Sequence, residues 1–229
     1  AHGTLNSRLR RLGASRRDAR DETRRIEQRL GDLFRQRGFQ VLVSHKLPAL
    51  SAEDADAGEI DLICARDGRL LVLELKSTYL RRSVKDAWMH RNSTLRKAGL
   101  QMHRKVEAVR RVLGSDGPLR QLLELETGCE PEITAWIVDT SIECDHQHFH
   151  GFLKVSLEEV LIAWRDDRHR LNDPDSLFQT GGMRSQAFVC DSDNATHCSL
   201  YPDGFSAERF IEVIELTSVW SSLNSKTVQ

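Results

Sequence analysis

The chain has 229 residues, of which 39% are hydrophobic and 29% charged, and its formal net charge is −1. This length and composition fit one large globular domain, or one domain with appendages, that buries a sizeable core. No apolar run approaches the roughly 20 residues of a membrane helix, and no signal-peptide pattern opens the chain. The five cysteines are an odd number and widely spaced, so we expect reduced thiols in a cytoplasmic protein. No membrane partner is expected.

The sequence predicts a mixture of helices and strands along the chain. Helical spacing of Ile26, Leu30 and Phe34 predicts a long first helix. It covers residues 4–37 and ends before Gly38. The elements predicted after it are a strand at 39–44, an acidic loop at 48–58, strands at 59–65 and 70–77, an ambiguous basic stretch at 79–92, a helix at 93–113, strands at 133–139 and 151–155, a helix at 156–164, a hairpin around 186–201 and a helix at 206–223.

Positive charge is concentrated in two parts of the chain. Residues 1–40 hold eleven arginines and five acids, and residues 77–113 hold ten Lys or Arg and two acids. Such segregation gives one basic face, which favours a polyanionic partner. Two solvated helix faces would give the same counts, so both interpretations stay open.

A β-hairpin in the first half of the chain fixes the positions of several charged side chains. Asp67-Gly68 is a strong signal for a two-residue hairpin turn, which places Arg66 opposite Arg69. With that register, Asp61 lies opposite Glu74 and Glu59 lies opposite Lys76. Since side chains alternate along a strand, these four project from one face. The opposite face is predicted to be apolar: Ile60, Leu62, Leu71, Leu73 and Leu75.

The opposed carboxylates of Asp61 and Glu74 suggest a metal site. Like charges directly opposite each other destabilise a sheet, and partial burial increases that cost. A divalent cation removes the cost, and oxygen ligands suit Mg²⁺ or Mn²⁺. Lys76, one pleat from Glu74, is placed to hold the attacking water or to stabilise negative charge on a phosphorane. The alternative is a solvated sheet face with a Glu59–Lys76 ion pair.

The same residues resemble a known signature. Asp61, twelve intervening residues and then Glu74-Leu75-Lys76 resemble the PD-(D/E)XK nuclease superfamily, which has the restriction-endonuclease-like fold. The run 58–63, together with Glu27 eleven residues before Gly38, is similar to the Holliday-junction-resolvase-like branch. The resemblance implies that Asp61 and Glu74 are metal ligands and that Lys76 is the catalytic lysine. It also implies a further ligand, the backbone carbonyl of Leu75.

The resemblance also implies an architecture. The fold class is α/β, with an αβββαβ core whose mixed central sheet is flanked by helices. The order predicted from the residues alone agrees with that core from about 22 to 140. The expected domains are a basic helical arm at 1–20, the nuclease-like core at 21–165 and a C-terminal α+β extension of unknown role at 166–229.

Three further residues are candidates for the same site. Glu27 lies at the border of the first helix's buried stripe, where it either completes the metal site or remains a surface glutamate. Gln101 lies at the edge of the stripe on the helix at 93–113. The family places a polar residue near the metal or phosphate on this helix, and ordinary helix surface is the alternative. Lys105, one turn further, is a weaker candidate for a phosphate contact.

The predicted function is Mg²⁺- or Mn²⁺-dependent hydrolysis of DNA phosphodiester bonds, without a covalent intermediate. An RNA-directed nuclease and a non-catalytic nucleic-acid-binding module are the alternatives, and a homodimer is compatible with the sequence. Tyr79 and Trp88 are candidates for stacking on bases of an opened strand, and ordinary packing is the alternative for Trp88. Phosphate contacts that position the backbone are expected from Arg81, Arg82, Lys85, Arg91, Arg96 and Lys97.

A zinc site is a weaker alternative in the second half of the chain. His146, His148 and His150 alternate in one run, and Cys190 and Cys198 flank a further histidine. No CxxC knuckle accompanies them, so a solvent-facing histidine loop is the preferred interpretation. Cys64 is expected to pack in the core rather than act as a nucleophile.

Overall fold

A computed structural model describes residues 16–48, 58–77, 83–114, 117–126, 128–166 and 199–217, with only the backbone described at 16–20 and 217. The chain divides into two compact units, residues 1–157 and 158–229. In the first unit the elements are α1 (Arg16–Gln36), β1 (Gln40–Lys46), β2 (Glu59–Arg66), β3 (Arg69–Lys76), α2 (Val84–Met89), a π-helical turn (His90–Leu95), α3 (Arg96–Gly114), α4 (Pro118–Leu122), β4 (Glu132–Asp139), β5 (His148–Phe149) and β6 (Phe152–Ser156).

These strands form one mixed six-stranded sheet with the order β1-β2-β3-β4-β6-β5. β1, β2 and β3 form an antiparallel meander, and β4 runs parallel to β3. β6 is parallel to β4, and β5 pairs antiparallel with β6 at the edge. The expected α/β architecture with a mixed sheet and flanking helices is therefore confirmed.

The predicted hairpin register is confirmed over five residue pairs, from Leu62–Leu73 to Arg66–Arg69. Asp67 and Gly68 have φ angles of 52° and 72°, and this left-handed pair forms the tight turn that suits twisted strands. Because a slip of one residue would move every side chain to the opposite face, this turn determines the face on which the charged side chains lie.

Both faces of the sheet are covered. Val106 and Val109 of α3 belong to a buried cluster with Ile63 and Val72. On the other face, Gly31 of α1 approaches the side chains of two β1 residues, Val41 and Val43. A Cβ on residue 31 would crowd Val43, so this helix-to-strand approach requires glycine.

One predicted face assignment is wrong. Ile60 was expected on the face opposite Ile63, but it belongs to the same buried cluster as Ile63 and Val72. In β1, next to this part of β2, Ser44 adopts a left-handed φ of 49° between the paired residues Val43 and His45. Strand alternation therefore does not hold at Ile60.

The ambiguous basic stretch becomes helical. α2 begins after Ser83, whose hydroxyl accepts a hydrogen bond from the Asp86 amide at 3.1 Å. The π-helical turn then connects α2 to α3, so helical structure starts nine residues before the predicted start at Ser93. The arm at 1–15 and most of the predicted 186–201 hairpin lie outside the described residues.

The second unit contains α6 (Ala207–Glu212), followed by a π-helical turn (Val213–Thr217). Helix α5 (Leu157–Arg165) begins at the last residue of the first unit. Trp164 makes edge-to-face contacts with Phe205 and Phe210, and the Tyr201 hydroxyl donates to the Ala163 carbonyl at 2.6 Å. Among the described residues no helix is both long and apolar enough to cross a membrane.

Gly99 of α3 provides a test of how closely this helix approaches β5. An added Cβ would overlap the Phe149 carbonyl, a backbone group that cannot rotate away. We expect Gly99→Ala to lower the free energy of unfolding by about 1–3 kcal/mol, although alanine is the better helix former. Urea denaturation measures the change.

Gly114→Ala is the matched control, since no described atom outside its own helix and chain neighbours lies within 4 Å of an added Cβ at this α3 position. We expect this substitution to stabilise the protein by roughly 0.5–1 kcal/mol. Equal midpoints for the two variants would contradict the close α3–β5 packing.

Candidate active site

The site lies where the β2–β3 ladder stops. The last backbone pair of this ladder is Leu62–Leu73, and beyond it a side-chain oxygen of Asp61 accepts a backbone hydrogen bond from β3. Its Oδ2 accepts a hydrogen bond from the Leu75 amide at 2.6 Å. The Glu74 side chain is only 3% exposed and that of Asp61 16% exposed. The buried Glu74 carboxylate and the partly buried Asp61 carboxylate thus lie near each other on neighbouring interior strands, although the predicted Asp61–Glu74 pairing is not part of the ladder.

Two lysines neutralise this acid pair. The Lys105 ammonium lies 3.3 Å from Asp61 Oδ1 and also donates to Glu74 Oε2. Lys76 donates to the other Glu74 oxygen and lies 3.3 Å from Gln101 Oε1. The solvated alternative with a Glu59–Lys76 pair is therefore wrong, because Lys76 pairs with a buried Glu74.

Burial and charge shift the pKa values in this cluster. Burial raises the pKa of Asp61, and the neighbouring Glu74 carboxylate raises it further. Burial alone would lower the pKa of Lys105, but the Glu74 and Asp61 carboxylates raise it overall. Lys105 is therefore a cation at neutral pH, and its charge offsets part of the repulsion between the two acids.

Glu27 faces the sheet from α1 but does not join this hydrogen-bonded cluster. It is 8% exposed, and its Oε2 accepts a hydrogen bond from the Ser44 hydroxyl at 2.8 Å. Burial raises its pKa, and the hydrogen bond from Ser44 partly opposes that shift. Asp61 and Glu59 raise it further, so the negative charge of Glu27 acts on the same region. The surface-glutamate alternative is wrong.

The donor set fits a small hard cation. Two carboxylates, with substrate phosphate and water, are the ligands that Mg²⁺ takes in phosphoryl-transfer sites. Lys105 already shows that a positive charge bridging both carboxylates is stabilised there. Within the described ranges no group of three or more His, Cys, Asp or Glu side chains is arranged to hold a metal. A cation would therefore depend on Asp61 and Glu74, with Lys105 displaced; the role of the Leu75 carbonyl stays a prediction.

The predicted basic residues fall into three groups. Lys85, Arg91, Arg96 and Lys97 are exposed, as phosphate contacts require. Arg81 and Arg82, with Tyr79, lie outside the described residues. Lys105, the weaker candidate for a phosphate contact, is 4% exposed and paired with the acids.

Sequence reasoning missed a buried polar pair beside the site. His90 Nε2 lies 2.8 Å from Asp139 Oδ2, with side chains 4% and 0% exposed. Asp139 is the parallel-strand partner of Lys76 in the β3–β4 ladder. An acid at the end of the apolar strand 133–139 was a usable signal for Asp139, whereas His90 lay in the stretch without clear periodicity.

The remaining nucleophile and metal candidates do not form a second site in the described part of the chain. Cys64 is fully buried, and burial raises the pKa of its thiol, so it is a packing residue. His146, His148 and His150 belong to no metal-binding group among the described residues. Cys190 and Cys198 lie outside that part.

Comparison with known proteins adds no relative. No family model, no curated protein and no solved structure matches the chain. A functional assignment therefore depends on the geometry of Asp61, Glu74, Lys76 and Lys105, and on the order of the elements that position them.

Proposed function

We propose that this chain is a divalent-metal-dependent nuclease that hydrolyses DNA phosphodiester bonds on a PD-(D/E)XK-like core. The observation that carries the proposal is the partly buried Asp61 beside the buried Glu74, with Lys76 paired to Glu74. The order α1-β1-β2-β3-α3-β4 around this pair supports the proposal, since it follows the αβββαβ arrangement of that core.

Asp61 and Glu74 would hold Mg²⁺ or Mn²⁺, which supplies Lewis acidity toward the phosphoryl oxygen and the attacking water. Lys76 positions the water or donates to the oxygen on which negative charge develops, and this interaction strengthens in the transition state. Gln101 accepts from the Lys76 ammonium and orients it. Glu27 keeps the region negative, which favours a cation.

A non-catalytic nucleic-acid-binding module is the second candidate. The observation that favours it is the Lys105 ammonium, which neutralises both carboxylates without a metal ion. In that case the acid pair is a structural ion-pair network, and the basic residues of α2 and α3 alone would provide binding. Cleavage activity separates the two functions.

Cleavage of supercoiled plasmid, linear duplex and single-stranded DNA, with Mg²⁺, Mn²⁺ or EDTA, tests the proposal. We expect cutting that requires metal and that falls about 100-fold or more in Lys76→Ala, because a positioned proton-transfer or charge-stabilising group is lost. Lys46→Ala removes an exposed lysine of β1 and should cut like wild type.

Binding without cutting by the wild-type protein would favour the binding module, provided that RNA substrates are also left intact. Cutting by Lys76→Ala at the wild-type rate would show that the hairpin site is not catalytic.

A further inference from the structure

Helix α2 exposes large apolar side chains on the surface. None of its residues is buried, and Val84, Trp88 and Met89 are 88%, 61% and 47% exposed. The packing alternative for Trp88 is therefore wrong. A tryptophan carries about 150–250 Å² of surface, so leaving most of it in water forgoes substantial hydrophobic stabilisation.

A buried contact directly after the exposed helix joins it to the strand beside β3. His90, directly after α2, is the first buried residue of this helical stretch, and it bonds to the fully buried Asp139. Asp139 pairs with Lys76 in the parallel β3–β4 ladder. One buried polar contact thus fixes the end of α2 next to the strand that carries the catalytic lysine.

The charge around Trp88 favours an anionic partner. Asp86 is the only acid between residues 83 and 97. The cations of this stretch are all exposed: Lys85, Arg91, Arg96 and Lys97. An aromatic ring among cations is the combination that binds single-stranded nucleic acid, because the ring stacks on a base while the cations contact phosphates.

An unpaired base fits this surface better than a duplex does. Bases inside a duplex are already stacked and paired, so a ring can reach their faces only after the strand opens. The phosphates of a duplex would contact the cations, and the Trp88 ring would stay in water. The exposed Trp88 ring should therefore strengthen binding of single-stranded DNA but not of duplex DNA.

We propose that Trp88, Lys85 and Arg91 bind an unpaired nucleotide of the substrate, so that the enzyme acts on DNA with a single-stranded segment beside the scissile bond. The single-stranded binding surface belongs to α2 and the π-helical turn after it, and its link to cleavage rests on the nuclease function proposed above. Binding measured without metal therefore tests this inference independently of cleavage.

The experiment measures fluorescence anisotropy of labelled oligonucleotides in EDTA, with single-stranded DNA and the fully paired duplex of the same sequence. Full-length wild type is compared with Trp88→Leu, Trp88→Phe and Leu122→Ala. Trp88→Leu keeps an apolar side chain without a ring, and Trp88→Phe keeps a smaller ring. Leu122→Ala removes a similarly exposed side chain, 51% accessible, elsewhere in the first unit.

We expect Trp88→Leu to weaken single-strand binding about 5- to 150-fold, with little change for the duplex. Trp88→Phe should recover a large part of the loss, and Leu122→Ala should bind like wild type. Cleavage of a duplex with a single-stranded tail, in Mn²⁺, should then fall in Trp88→Leu and not in Leu122→Ala.

Three results would overturn the inference. Equal losses on single strands and duplex, or none on either, would show that Trp88 makes no base contact. A dimeric wild type that Trp88→Leu converts to a monomer, seen by sedimentation, would assign the surface to a second copy of the chain. Cleavage that needs Lys76 but not Trp88 would leave the nuclease function standing and remove only the single-strand preference.

Discussion

Asp61→Asn is expected to abolish metal-dependent cleavage and, at the same time, to stabilise the metal-free protein. Asparagine keeps an oxygen that accepts from the Leu75 amide, so the local fold is preserved. The charge required for a divalent cation is lost, and we expect a decrease in cleavage rate of roughly 1,000-fold or more. The free energy of unfolding should increase by about 0.5–2 kcal/mol, because the repulsion with Glu74 is removed.

The stabilisation should depend on pH in a defined direction. Burial raises the pKa of Asp61 above its ordinary value of 3.8, so the folded protein binds this proton more tightly than the unfolded chain. The wild type therefore loses stability from this group as the pH rises above 3.8, through the range in which Asp61 of the folded protein releases its proton. The gain from Asp61→Asn is present near neutral pH and disappears as the pH falls toward 3.8.

Urea denaturation in EDTA at several pH values measures this gain, and Asp32→Asn is the control. Asp32 has a side chain 64% exposed on α1, so its substitution should change stability by no more than about 0.5 kcal/mol at any pH. A less stable Asp61→Asn protein at neutral pH would mean that ionised Asp61 holds the fold together. Undiminished cleavage would remove Asp61 from the site.

Lys105→Met should produce the largest loss of stability, about 3–5 kcal/mol, because it leaves the buried Glu74 carboxylate and Asp61 without their shared cation. Lys154→Met is the matched control. Lys154 is a fully buried lysine paired with Asp145, so its substitution should also be strongly destabilising. Thermal unfolding compares the two.

Mn²⁺ is expected to distinguish the two lysine variants. A divalent cation replaces the charge that Lys105 supplied and no longer competes with it, so Lys105→Met should gain more thermal stability from Mn²⁺ than wild type does. Lys154→Met should respond no more than wild type. Equal gains in both variants, or none in Lys105→Met, would argue against a metal site at Asp61 and Glu74.

Local rules predicted the hairpin and its acid pair because they depend on a single turn. The Asp67-Gly68 turn fixes the pairing at Arg66–Arg69, and strand alternation extends that information six residues away to Asp61 and Glu74. Gln101 was a candidate because the family resemblance implies a polar residue on this helix, and its side chain lies beside Lys76.

Contacts between distant segments were not predictable in the same way. Lys105 occupies a buried stripe position that sequence patterns assign to apolar residues, and only its pairing with two carboxylates makes that burial tolerable. His90 and Asp139 are 49 residues apart, and nothing local in either segment specifies the other. Ile60 lies in the same cluster as Ile63 despite strand alternation, in the part of β2 that pairs next to the left-handed Ser44 of β1.

The hydrogen bond between the Leu75 amide and Asp61 links a side-chain charge directly to the backbone of β3. In a regular ladder that amide would face a neutral carbonyl whose polarity never changes. Here its acceptor gains or loses a full charge when Asp61 releases or binds a proton. The chemical shift of this one amide therefore follows the state of the acid pair, and the protein contains its own spectroscopic indicator of whether the site is charged.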